Sequence, residues 1–115
     1  MNRVTVIAFW AAAAFAFVMA VIPAPPSLPA PDKLQHMLAF AVLAALSVAA
    51  FPRVPAWKLF LAFATFGGMI ELVQSTRFVG RDGDWLDWLA DLVAAGSVLL
   101  IGSFFRKVRK WAVSA

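Results

Sequence analysis

The chain has 115 residues, 63% of them hydrophobic and 14% charged, with a net charge of +4 and no cysteine. A soluble domain of this length cannot bury so much apolar surface, so lipid is the natural solvent, and without cysteine there are no disulfides, thiolate metal sites or cysteine nucleophile. The basic residues gather at predicted helix ends and in a terminal tail, which points to anionic lipid headgroups and away from nucleic acid.

Residues 4–22 form an unbroken apolar run, long enough for one crossing of a bilayer. A cleaved signal peptide is the rival reading, but the run is long for one and no small-x-small pair closes it. The proline-rich stretch 23–31 cannot continue a helix and predicts a stiff, extended connector. Asp32 followed by Gln35 has the form of a capping box, opening a second helix that runs to about Phe51. Pro52 and Pro55 bracket a short turn, and a third helix follows over about 56–75. Gly80 and Asp82-Gly83 mark another turn, and Asp84 is placed to cap a fourth helix over about 85–105. The tail after it, through Lys110, is basic.

The expected fold is therefore all-α: a single integral membrane domain with four transmembrane spans, at about 4–22, 34–51, 56–75 and 85–105. Arg3, Arg53, Lys58, Arg106, Lys107, Arg109 and Lys110 fall on one side of such a bundle, and Lys33, Arg77 and Arg81 on the other. Positive charge accumulates on the cytoplasmic side, so both termini are expected there. All six acids, Asp32, Glu71, Asp82, Asp84, Asp87 and Asp91, then lie toward the outer side.

Helix length draws some of these acids into the bilayer. Residues 92–105 supply only a short apolar segment, so to span the hydrocarbon the last helix must begin near Asp84 and carry Asp87 and Asp91 with it. Asp84, Asp87 and Asp91 are spaced i, i+3, i+7 and form one stripe. Glu71 and Gln74 share a face with Gly67, a small residue of the kind found at close helix contacts, and Lys33 and His36 pair at the start of the second helix. Lys33, His36, Glu71, Gln74, Arg81, Asp84, Asp87 and Asp91 are thus the candidates for a polar pocket at one face. Simpler roles exist for several residues. Asp32 and Asp84 suit helix caps, Asp82 a turn, and Arg77, Trp85 and Trp88 interfacial anchors. Grouped carboxylates must share a proton, a cationic side chain or a divalent ion. His36, Glu71, Asp87 and Asp91 are the candidate ligands, suited more to Mg, Ca or Mn than to Zn, at a spacing that matches no recognised metal motif.

These residues, in this order, resemble the VanZ-like family of bacterial membrane proteins. The resemblance rests on Lys33 and His36, Glu71-Leu-Val-Gln74, Arg81, Asp84, Asp87 and Asp91, over about residues 32–99. Two positions depart from the family pattern: Asp91 stands where Asn is usual and Ala94 where Gly is typical. The resemblance implies a multi-pass protein of the bacterial cytoplasmic membrane with a cell-envelope role, since the family is named for a member linked to teicoplanin resistance. It leaves the reaction open. Three functions follow in order of preference. The first is binding or modulation of a lipid-linked or glycopeptide-like envelope ligand. The second is an integral-membrane enzyme acting on a lipid-linked precursor, with Glu71, Asp91 and His36 as acid/base groups. The third is an ion pathway, disfavoured because polar residues do not continue toward the other side.

Overall fold

Apolar runs free of internal proline become helices here, and the prolines fall between them. The computed structural model describes residues 2–22, 32–76 and 85–114, and of Asp32 and Lys33 the backbone alone. Among the described residues there are four α-helices and no strand: α1 (Arg3–Val21), α2 (Asp32–Ala50), α3 (Ala56–Gln74) and α4 (Trp85–Ser114). The proline-rich connector, the turn at Gly80 to Gly83, Arg77, Arg81, the cap at Asp84 and the capping side chain of Asp32 all lie outside the described residues.

The helix starts follow local chemistry. Asn2 caps α1, its Oδ1 accepting from the Val4 amide at 2.8 Å while its carbonyl accepts from the Thr5 hydroxyl at 2.9 Å. Pro55 precedes α3 with extended backbone and no side-chain cap, and its carbonyl accepts from the Lys58 and Leu59 amides. One boundary differs from expectation. α4 continues past Phe105 to Ser114, because the basic tail contains no Gly or Pro and is rich in residues that favour helix.

The helices alternate in direction. Phe9 near the start of α1 meets Phe51 at the end of α2, with ring centroids 5.2 Å apart. Gln74 at the end of α3 reaches Ala20 at the end of α1, and Arg106 of α4 reaches the turn between α2 and α3. Two ends result. One holds Asn2, the α2–α3 turn and Arg106; the other holds Ala20, His36, Gln74 and the start of α4. We term these the turn end and the polar end. α2 packs most extensively against α4, and no Cα of α1 comes within 8 Å of one in α4, so those two stand at opposite corners.

The inner face of each helix is read from its spacing. α2 buries Phe40, Leu43, Ala44, Ser47 and Ala50, and α3 buries Leu59, Phe63, Gly67, Ile70 and Gln74. α4 buries Asp91, Ala95 and Leu99. α1 lays an Ala/Phe seam against this core (Phe9, Ala12, Ala13, Ala16, Phe17 and Ala20), of which Ala20 alone is fully buried. The outward faces are apolar too, with Ile7, Phe15, Leu38, Val42, Leu61, Leu72, Val93 and Leu100 all exposed. A helix apolar on every side is built for a lipid surround. By length and composition α1, α3 and α4 are each able to cross a membrane, while the described apolar stretch of α2 is the shorter Leu34–Ala50. Each 19-residue helix is about 28 Å long, close to the thickness of a hydrocarbon core.

Arg106 closes the turn end. One of its terminal nitrogens donates to the Val54 carbonyl at 3.0 Å, and the other to the Val48 and Phe51 carbonyls at 2.7 and 3.2 Å. Val48 and Phe51 stand at the C-terminus of α2, where carbonyls lack intrahelical donors and the helix dipole favours a cation. Just above, Gly102 admits Val48: a Cβ there would fall 2.9 Å from Val48 Cγ2. Replacing Arg106 with Ala should lower unfolding stability in detergent by about 1–3 kcal/mol, and Arg106→Lys should recover only part, because an ammonium cannot fork to three carbonyls. Equal stability of R106K and the parent would show that charge alone, without the fork, holds the turn.

Candidate functional site

The polar end is organised by a glycine. Gly67 of α3 faces both Phe40 of α2 and Trp88 of α4; a Cβ on it would fall 3.1 Å from Trp88 Cδ1 and 3.3 Å from Phe40 Cζ. Without a side chain at 67, three helices meet at one level. Trp88 Nε1 then donates to the Ala64 carbonyl of α3 at 2.9 Å. Beyond the anchoring role expected of it, Trp88 is half-buried and ties α4 to α3. The signal was present in the spacing, since Trp88 shares its face with Asp91, Ala95 and Leu99. Trp85, 64% exposed at the head of α4, fits the interfacial role.

The ionisable groups lie within about one turn of that level. His36 precedes Phe40 by four residues on α2, Glu71 follows Gly67 by four on α3, and Asp87 and Asp91 flank Trp88 on α4. Asp91 is 5% exposed, and the Glu71 Oε1 and Asp91 Oδ1 atoms are closed off from solvent. His36, Glu71 and Asp87 are half-buried, and all four residues have further interactions. Of the predicted set, His36, Glu71, Asp87 and Asp91 are therefore gathered at one end. The side chain of Lys33 and all of Arg81 and Asp84 lie outside the described residues.

Gln74 has a specific task. It is buried, and its Nε2 donates to the Ala20 carbonyl at 2.8 Å. That carbonyl belongs to the last turn of α1, where intrahelical donors run out. Gln74 thus fastens α1 to the polar end, a partnership across 54 residues that spacing within one helix could not reveal.

The described polar groups here are carboxyls, the Gln35 and Gln74 carboxamides, the Ser75 and Thr76 hydroxyls and one imidazole, a set rich in acceptors. Such a set suits ligands that present ammonium, hydroxyl or amide donors. Among the described residues no three His, Asp or Glu side chains are grouped to hold a metal ion. His36, Glu71, Asp87 and Asp91 share an end of the bundle without forming a ligand shell by themselves, and a divalent cation there would need further donors.

Comparison of the chain with protein-family models, with curated proteins and with solved structures finds no match. Function has to be argued from the chain itself.

The tight contact at Gly67 separates it from its neighbour. A Cβ on Gly68 would meet Trp88 Nε1 at 3.6 Å, an ordinary contact. Gly67→Leu should therefore cost about 1–3 kcal/mol by overpacking Phe40 and Trp88, while Gly68→Ala should be neutral or stabilising through better helix propensity. Parallel denaturation of the two variants checks this, and equal losses would remove the three-helix junction.

Proposed function

We propose that this chain is a VanZ-like protein of the bacterial cytoplasmic membrane, crossing it four times with both termini inside. On this reading its polar end, at the outer face, binds a lipid-linked or glycopeptide-like envelope ligand. The observation that carries the proposal is the burial of Asp91, with half-buried Glu71 and His36 toward the same end, in a bundle whose described flanks are apolar. An ionisable group in such surroundings is costly and marks a site by default. The acceptor-rich set matches a ligand bearing hydroxyl, amide or ammonium donors, the groups carried by glycans and glycopeptides.

The four-span topology is supported by packing and charge. α2 lies against all three other helices, each of them able to cross a membrane by length and composition. The turn end collects Arg3, Arg53, Lys58, Arg106, Lys107, Arg109 and Lys110, the arrangement of a cytoplasmic face. Trp85 and Trp111, both exposed, are about 39 Å apart along α4, a fair match to the two interfacial belts of a bilayer.

Because the chain has no cysteine, single introduced cysteines report sidedness directly. Thr76→Cys should react with an impermeant maleimide added outside intact cells, and Ser114→Cys only after lysis. Both reacting from one side would defeat the four-span topology. For the site, Asp91→Asn and Glu71→Gln should keep the parent's melting temperature within a few degrees. Saturable stabilisation by a lipid-linked glycan precursor, several degrees in the parent, should disappear in both variants. Turnover of that precursor, lost in Glu71→Gln, would instead make the protein an enzyme with Glu71 as an acid/base group. Undiminished stabilisation in both variants would place the ligand elsewhere.

A further inference from the structure

Beyond Arg106 the last helix passes the α2–α3 turn and runs on alone, with residues 107–114 exposed for about 12 Å. Ser103, Arg106, Lys107 and Lys110 are spaced i, i+3, i+4, i+7 and form one stripe. With Phe104 they line a cavity of about 420 Å³. A second cavity, of about 250 Å³, is lined by Phe51, Pro52, Arg53 and Val54, on the turn whose carbonyls hold Arg106. Lys110 lies three and four residues from Lys107 and Arg106, close enough for like charges to repel. The sequence places no acid near them. The nearest along α4 is Asp91, about 22 Å up the axis, and the other five acids precede it in the chain. Among the described residues no acidic side chain stands at this end to serve as their counter-anion.

We infer that this stripe is a headgroup site for an anionic glycerophospholipid in the leaflet at the turn end. Lys107 and Lys110 take the phosphodiester, and the Ser103 hydroxyl is placed to donate to it. Arg106 is held in position by three carbonyls, which leaves part of its guanidinium donor set for the same anion. A lipid, and not a soluble phosphate, is indicated by the neighbouring surface. Phe104 is 63% exposed in the same lining, and Leu100, Ile101 and Phe105 extend an exposed apolar surface up α4, where acyl chains would lie. A basic cleft that opens onto a greasy helix face matches an amphiphile with a charged head. The inference rests on the membrane reading of the bundle, and is independent of any ligand at the polar end.

The test is to reconstitute the full chain into nanodiscs of phosphatidylcholine and phosphatidylglycerol in equal parts, and to count the lipids that survive release in native mass spectrometry. The parent should retain phosphatidylglycerol over phosphatidylcholine by about fivefold or more. The K107A/K110A variant should fall to parity, and K107R/K110R should keep the preference. Parity in the parent, or a preference unchanged in K107A/K110A, overturns the site while leaving the membrane reading standing. Displacement of the retained lipid by millimolar glycerol 3-phosphate would assign the cleft to a soluble phosphate and overturn the lipid. Failure of the chain to enter the discs would overturn the membrane reading and this inference together.

Discussion

Carbonyls in the last turn of a helix need donors that the helix itself cannot supply, and in apolar surroundings water does not supply them either. This constraint explains two polar residues of the bundle, and a third makes a similar bond away from a helix end. Gln74 serves the end of α1, Arg106 serves the end of α2 and the turn beyond it, and Trp88 joins α4 to a carbonyl in the body of α3. In each, a side-chain N–H from one helix meets main-chain oxygen of another. Packing by dispersion is only weakly selective between neighbouring faces, whereas a directional bond to one carbonyl fixes register. The bundle is positioned by these few donors and filled by Ala, Leu and Phe.

Charge follows the same division. Asp87 lies in the first turn of α4, where the helix dipole favours an anion, while Lys107, Arg109 and Lys110 all precede its last turn. Among the described residues, Glu71, Asp87 and Asp91 lie toward one end, and Arg3, Arg53, Lys58, Arg106, Lys107, Arg109 and Lys110 toward the other. Two chemically distinct surfaces thus sit at opposite ends of an apolar body. One is rich in acceptors and partly buried. The other is cationic and open.

Helix number, helix type and three of the four intervals were legible in the sequence because apolar length and proline placement leave little choice. The collection of His36, Glu71, Asp87 and Asp91 at one end was legible for a similar reason: each lies near the polar terminus of its own helix. What the sequence concealed was partnership. Arg106 reads as the first residue of a basic tail, and nothing local says that it turns back to the carbonyls of α2. Gln74 reads as part of a polar pair with Glu71, yet its amide belongs to α1. Such bonds depend on which helices become neighbours, and with four similar greasy segments that choice is made by three-dimensional fit at positions such as Gly67 and Gly102.

The extensive seam between α2 and α4 has a further consequence for biogenesis. As the polypeptide leaves the ribosome, α2 emerges well before α4, and in the interim the face bearing Phe40, Leu43, Ala44 and Ser47 has only α1 and α3 for company. The earliest hairpins are therefore provisional. Final assembly waits for α4, and with it arrives the guanidinium that seals the turn.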